Sequence, residues 1–224
     1  FDLITSTNVF QHTPDYRKFL SGIQQNLNGV WILEFPYFLE TVRTNQFDQI
    51  YHEHLFYWLV TPLYHFFKQY DLKGGSLRIV SSNRSDHSEN FEKINYYLNL
   101  EAKFNFHNWP EVFERKIKED RKFIANLRGS VAAFGAAAKG CIYLNCVNQN
   151  KIEYIIDDTP QKQHKFVPGL GLEILNRDVL KTDPPLNIII LPHNFKRYVS
   201  RSLREEGYEG RIFTMLPEIQ EIFL

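Results

Sequence analysis

Tyr51-His52-Glu53-His54 packs a phenol, two imidazoles and a carboxylate into four consecutive residues. Histidine is the natural general base near neutral pH, because its unperturbed pKa of about 6.5 lets it accept a proton without deep burial. A neighbouring carboxylate can orient or charge-match it. Burying such a group without a use would be costly, although a solvated loop whose His and Glu cap backbone groups would carry the same four letters.

A second cluster, Gly135-Ala136-Ala137-Ala138-Lys139-Gly140, stands between a strand pattern and a helical one. Small residues there let backbone N–H groups and a helix N-terminus approach a phosphate, and Lys139 adds a compensating charge. The run is not a P-loop, because Cys141-Ile142 stand where Lys and Ser or Thr are required, and it lacks the middle glycine of a dinucleotide fingerprint. Asp157 and Asp158 follow Gly135 by 22 and 23 residues, close to where such folds place a ribose-binding acid. Close packing of a helix on a sheet would ask for the same small residues. Lys162, Gln163 and Lys165 in the loop after Asp158 face either phosphates or solvent, and Gly74-Gly75-Ser76 with Arg78 makes either a sugar-facing turn or only a turn and a salt bridge. No metal site is expected. Cys141 and Cys146 form neither a Cys-x-x-Cys pair nor a zinc spacing, and no His-Glu-x-x-His helix accompanies the histidines.

The elements that must position these residues follow from hydrophobic period and turn chemistry. Residues 1–5 read as a strand, a helix runs from Pro14-Asp15 to about Leu27, and residues 30–35 return as a strand apolar enough to be buried on both faces. Pro36 has no N–H for the ladder, so it ends that strand and opens a loop reaching Tyr57. The Tyr-His-Glu-His run therefore lies past a strand end, where ligands of open α/β sheets bind. A helix over 62–70, a strand over 76–80 and a polar loop over 81–89 come next. Trp109, Val112, Phe113, Ile117, Phe123, Ile124 and Leu127 form a helical stripe, which with the helix before it makes an arm between two halves and ends at Gly129. Beyond it, strands at 131–134, 152–156, 187–191 and 211–213 are interspersed with helices at 137–147 and 196–206, predicting a parallel sheet covered on both faces. The expected fold class is α/β, with a boundary near Gly129 separating 1–128 from 129–224.

Composition narrows the class. Twenty-six basic residues balance 26 acidic ones, so no net field draws the chain to nucleic acid or to an anionic membrane surface. No apolar run approaches the roughly 20 residues of a membrane-spanning helix, and no basic stretch followed by an apolar one opens the chain. A cytoplasmic protein with no nucleic-acid or membrane partner is expected, and nothing in the sequence sets an oligomeric state. With 43% hydrophobic residues, 224 positions can build one large core or two small ones.

Four ordered motifs resemble those of sugar C-methyltransferases: Phe47-Asp48-Gln49-Ile50-Tyr51-His52-Glu53-His54, Gly74-Gly75-Ser76-Leu77-Arg78, Phe134-Gly135-Ala136-Ala137-Ala138-Lys139-Gly140, and Asp157-Asp158-Thr159-Pro160-Gln161-Lys162-Gln163. The resemblance implies the last part of a methyltransferase-type Rossmann unit with a helical arm, followed by a C-terminal Rossmann-like domain. It implies, too, that the glycine-rich turn holding S-adenosylmethionine lies largely outside this chain, and that zinc belongs only to a missing N-terminal domain. The reaction implied is proton abstraction at the carbon beside the ketone of a nucleotide-linked keto-deoxysugar, then attack of the enolate on the methyl group of S-adenosylmethionine. By analogy His54 is the base, Tyr51 a hydrogen-bond partner of the enolate or the sugar, Glu53 the orienting group, and His52 structural. Asn8-Val9-Phe10-Gln11-His12 resembles the family's segment at the end of a central strand, which puts His12 near the same pocket in a substrate role. Gly75, Ser76 and Arg78 are expected at the sugar. Gly135, Ala138, Lys139, Gly140, Asp157, Asp158 and Lys162 are expected at the nucleotide diphosphate.

The sequence departs from the family's pattern at Lys73, where histidine is typical, and in a shorter region before Gly74-Gly75. The strand approaches at Leu27-Asn28-Gly29 and Leu127-Arg128-Gly129 are short as well. Two other functions stay open at this stage. The Rossmann-like pattern with paired aspartates suits an NAD-dependent sugar-nucleotide oxidoreductase, against which the absent middle glycine argues. The absent cofactor turn suits a catalytically silent nucleotide-sugar binding module.

Overall fold

The computed structural model describes residues 1–66, 76–82, 91–148 and 150–223, with backbone alone at 65–66 and 76–82. Cα packing divides the chain into two compact units, Phe1–Arg43 with Tyr51–Trp109, and Thr44–Ile50 with Pro110–Leu224. No helix among the described residues is long and apolar enough to cross a membrane.

The first unit is built on a three-stranded sheet of order β1-β2-β3, with β1 (Leu3–Thr7) parallel to β2 (Val30–Pro36) and β3 (Ser76–Ser82) antiparallel to β2. Helix α1 (Tyr16–Asn26) connects β1 to β2 and is capped by Asp15, whose carboxylate accepts the Lys18 N–H at 3.0 Å. Tyr16, Phe19, Leu20 and Ile23 fall on one helical stripe and pack against the core. The expectation that β2 is buried on both faces does not hold. Trp31, Leu33 and Phe35 are buried while Val30, Ile32 and Glu34 are half-buried, the period-2 alternation of a strand in a narrow sheet with one fully covered face.

After β2 the chain forms a short helix, α2 (Phe38–Arg43), which the aromatic and polar composition of the stretch had concealed. A 3-10 turn over Phe47–Gln49 follows, and then α3 (Val60–Phe66) and α4 (Phe91–Ala102). Glu101 of α4 is buried and ties the unit together. Its carboxylate accepts the Tyr37 hydroxyl at 2.7 Å, the Val60 N–H at 2.7 Å and the Thr61 N–H at 2.8 Å, satisfying the open N-terminus of α3.

The second unit carries a six-stranded sheet of order β6-β5-β4-β7-β8-β9, formed by β4 (Val131–Phe134), β5 (Tyr154–Ile156), β6 (Glu173–Leu175), β7 (Asn187–Ile190), β8 (Arg211–Thr214) and the antiparallel β9 (Gln220–Glu221). Helix α5 (Trp109–Asn126) leads into β4, α6 (Ala138–Val147) joins β4 to β5, α7 (Val179–Thr182) lies between β6 and β7, and α8 (Lys196–Glu205) joins β7 to β8. Every residue of β4 and β7 is buried, as strands in the middle of a covered parallel sheet must be. Val199 and Leu203 of α8 share a cluster with Ile212, while Phe123 of α5 meets Phe213 edge-on at 5.2 Å. Successive residues of a strand point to opposite faces, so helices cover both sides of this sheet. The reversal of strand order between β4 and β7 makes a switch point, the place where such folds open a crevice at the strand ends.

Candidate active site

In the first unit the left-handed backbone of Asn8 (φ 54°) turns the chain at the carboxyl end of β1 into a 3-10 turn over Phe10–His12. Phe10 anchors that turn in the core, stacked on Trp58 at 4.5 Å. The Gln11 carbonyl accepts the N–H groups of Leu55 at 2.9 Å and Phe56 at 3.3 Å, and the His54 N–H bonds the Tyr51 carbonyl at 3.0 Å. Residues 51–56 are thereby pinned to the turn that carries His12.

The side chains gather accordingly. His12 and His54 meet edge-to-face with ring centres 4.9 Å apart, and Tyr51 lies over His54 at 4.3 Å. His54 is buried, whereas Glu53 and His52 are exposed. His12 Nδ1 lies 2.7 Å from the Glu53 carbonyl oxygen. A carbonyl only accepts, so Nδ1 carries the hydrogen and, in the neutral ring, Nε2 keeps the lone pair of a base. Glu53 thus orients a histidine through its backbone oxygen. Three of the four residues expected to handle the proton, His12, Tyr51 and His54, stand in ring contact.

In the second unit the predicted phosphate loop follows β4. Gly135 has φ 98°, and a Cβ there would lie 2.6 Å from Pro192 Cδ; at Gly140 a Cβ would lie 2.6 Å from the Gly135 carbonyl oxygen. Both glycines are therefore required for close packing at the switch point. Asp157 is turned inward. Its carboxylate accepts the Ala136 N–H at 2.7 Å, the Thr159 N–H at 2.9 Å and the Lys162 ammonium at 3.1 Å. Burial alone would raise its pKa, and these donors bring it below the usual carboxylate range instead. Asp158 is engaged by both arms of Arg177, at 2.5 and 2.8 Å, and Arg177 also bonds Ser202 and Glu206. Asp157, Asp158 and Lys162 thus hold the loop to itself, and Ala138 and Lys139 are left facing outward or half-buried at its mouth. Gly75 lies outside the described residues. Ser76 and Arg78 stand in β3, paired in register with Pro36 and Glu34.

Two residues near Lys139 escaped the sequence reading. Asp48 is buried, with its Oδ1 lacking a hydrogen-bond partner, and burial pushes its carboxyl up to about 6 against the pull of the Lys139 charge. His193 follows β7 at the switch point, and burial first, then the charges of Lys139 and Lys196, lower its pKa. Position past a strand end was the only signal for His193, while Asp48 lay inside a motif read for its last four letters. Among the described residues no group of three or more His, Cys, Asp or Glu could hold a metal ion.

Known proteins were compared with the chain on this footing. Residues 71–217 match the family model described as the C-methyltransferase C-terminal domain. C-methyltransferase NovU of Streptomyces niveus is 24% identical over 242 residues, an alignment that takes in 96% of this chain and 57% of that protein. The chain spans little more than half the length of the curated relative it matches.

Proposed function

The chain belongs to the C-methyltransferase family through its C-terminal domain, and from that premise we propose that the enzyme carrying it transfers a methyl group from S-adenosylmethionine to the ring carbon beside the ketone of a nucleotide-linked keto-deoxysugar. A carbon–carbon bond needs a carbon nucleophile. A C–H beside a ketone supplies one once a base takes its proton and the electron pair spreads onto the carbonyl oxygen. The observation that carries this reading is the His12–Tyr51–His54 cluster, with the His12 ring fixed by the Glu53 carbonyl at 2.7 Å.

His54 is the proposed base, and Tyr51 the proposed hydrogen-bond partner of the sugar or its enolate. His12 offers Nε2 as a second acceptor in the same cluster. In the second unit the proposed role of Ala138 and Lys139 is to meet the anionic part of the substrate, with Asp157, Asp158 and Lys162 shaping the loop from within.

The loop after β1 does not supply the glycine-rich turn expected to hold S-adenosylmethionine. Residues 8–15, which join β1 to α1, contain no glycine. Gly22 lies inside α1, and a Cβ at Gly29 would lie 2.2 Å from the Asp2 carbonyl oxygen, so that glycine serves strand packing. A second reading, a silent nucleotide-sugar binding module, predicts substrate binding without proton exchange. The oxidoreductase reading loses its support, because both aspartates that would meet a ribose are held by Ala136, Lys162 and Arg177.

Solvent deuterium exchange at the carbon beside the ketone separates the two surviving readings, measured on the full-length enzyme with nucleotide-linked 4-keto-deoxysugars and no methyl donor. Exchange is expected, and His54→Asn should slow it by about 10²- to 10⁴-fold, the range for loss of a positioned base. Tight binding with no exchange would establish the silent module.

A further inference from the structure

An enolate places negative charge on an oxygen, and a site that removes the proton without a hydrogen-bond donor aimed at that oxygen leaves most of the barrier in place. The ring of Tyr57 lies 6.2 Å from that of His54 at 71°, on a segment that the sequence reading passed over. Two things fix it there. Its ring packs against Phe38 at 5.3 Å, and the Trp58 carbonyl next to it accepts the Phe38 N–H at 3.1 Å. A neutral phenol carries an O–H that can donate.

Resting on the base assignment above, and giving Tyr51 to the sugar of the two partners proposed for it, we infer that the hydroxyl of Tyr57 is the donor that stabilises the enolate oxygen of the substrate. The step balances within the cluster. The C–H bond breaks and its proton goes to an imidazole nitrogen of the His12–His54 pair. The C–H electron pair forms the carbon–carbon double bond while the C=O pair moves onto oxygen, and Tyr57 donates a hydrogen bond to that oxygen without giving up its proton. Half-burial supports the role, since desolvation raises the phenol above its ordinary value and keeps the hydroxyl protonated at neutral pH. Its rigidity is part of the function, because a donor packed against Phe38 need not reorganise when charge develops.

The test uses full-length enzyme, a nucleotide-linked 4-keto-deoxysugar and the exchange assay, with Tyr57→Phe and His54→Asn side by side. Tyr57→Phe is expected to slow exchange by about 10²-fold, the size found for loss of one oxyanion donor, while Kd for the sugar nucleotide changes less than about twofold. A role in folding alone would move Kd and melting temperature together with the rate. Exchange within about twofold of wild type in Tyr57→Phe, with His54→Asn inactive, overturns the assignment and leaves the base standing. Exchange that survives in both His54→Asn and His12→Asn overturns the reading on which it rests. If Tyr57→Phe lowers the melting temperature, 3-fluorotyrosine at position 57 keeps the shape and strengthens the donor. Faster exchange then supports the role, and unchanged exchange rejects it.

Discussion

Asp48 sits in the 3-10 turn Phe47–Gln49, buried, with Oδ1 lacking a partner. Desolvation pushes its carboxyl from 3.8 up to about 6, opposed by the charge of Lys139. The folded chain therefore binds this proton more tightly than the unfolded one. The contribution of this carboxyl to the stability of the second unit should be fully present below pH 4, be lost as pH rises through 6, and stay lost above it. Asp120 acts in the same direction, since burial raises it to about 6 against the pull of Lys116. Asp48→Asn removes the ionised carboxylate without changing its shape. At pH 7.5 it is expected to stabilise the second unit by about 1–3 kcal/mol, since one pKa unit is worth about 1.4 kcal/mol. Urea titrations at pH 5 and 7.5 should show a smaller difference between the two conditions in the variant than in wild type. An unchanged difference would show that the carboxyl titrates at an ordinary value.

At the scale of elements, α5 and α6 are joined by a buried polar linkage. Lys116 and Asp120 of α5 form an ion pair at 2.6 Å, and the Tyr143 hydroxyl of α6 donates to Asp120 at 3.0 Å. Removing one charge strands the other, so Lys116→Met is expected to cost about 3–5 kcal/mol. Adding Asp120→Asn should recover most of that loss, because the amide oxygen still accepts from Tyr143 and no charge remains. Denaturant unfolding of the two single variants and the double variant completes the cycle, and additive losses would refute the coupling. The stripe from Trp109 to Leu127 made α5 legible, since apolar residues at helical spacing leave few alternatives. The alternation from Val131 onward disclosed the parallel sheet, and its α/β class holds. The three residues Glu173–Leu175 of β6 are too short for any period to show, and α2 buries Leu39 and Val42 within a stretch dominated by aromatics and Pro36. Glu101 did leave a trace. It occupies the apolar side of α4 with Ile94, Tyr97 and Leu98, where an acid must have buried donors to meet. The motif 51–54 pointed from its letters to the segment whose rings meet at His54. The ring contacts of His12 and Tyr57 depend on how Gln11 pins residues 55–56, a backbone pairing across more than 40 positions that spacing does not encode.

The two units of the molecule are not consecutive stretches of chain. After Arg43 the chain leaves the first unit, gives residues Thr44–Ile50 to the second, and re-enters the first at Tyr51, where the candidate site begins. Those seven residues are part of the second unit's packing and not a passing loop: Phe47 stacks on Tyr143 at 5.3 Å and meets Phe113 edge-on at 6.4 Å, and Asn45 bonds the Pro217 carbonyl at 3.3 Å. A fragment that starts at Pro110 would contain every strand of the six-stranded sheet and still lack the ring that covers Tyr143. Phe47→Ala in the intact chain should accordingly destabilise the second unit by about 3–5 kcal/mol, the usual cost of emptying a buried aromatic site. The β1–α1–β2 core of the first unit holds itself together through a cluster that includes Phe10, Trp31, Leu33 and Phe35, so its local stability should be unchanged. Hydrogen exchange read peptide by peptide distinguishes the outcomes. Faster exchange confined to β4, α6 and β7 is expected, and equal acceleration in β1 and β2 would mean that the chain unfolds as one cooperative body in spite of its two-unit packing.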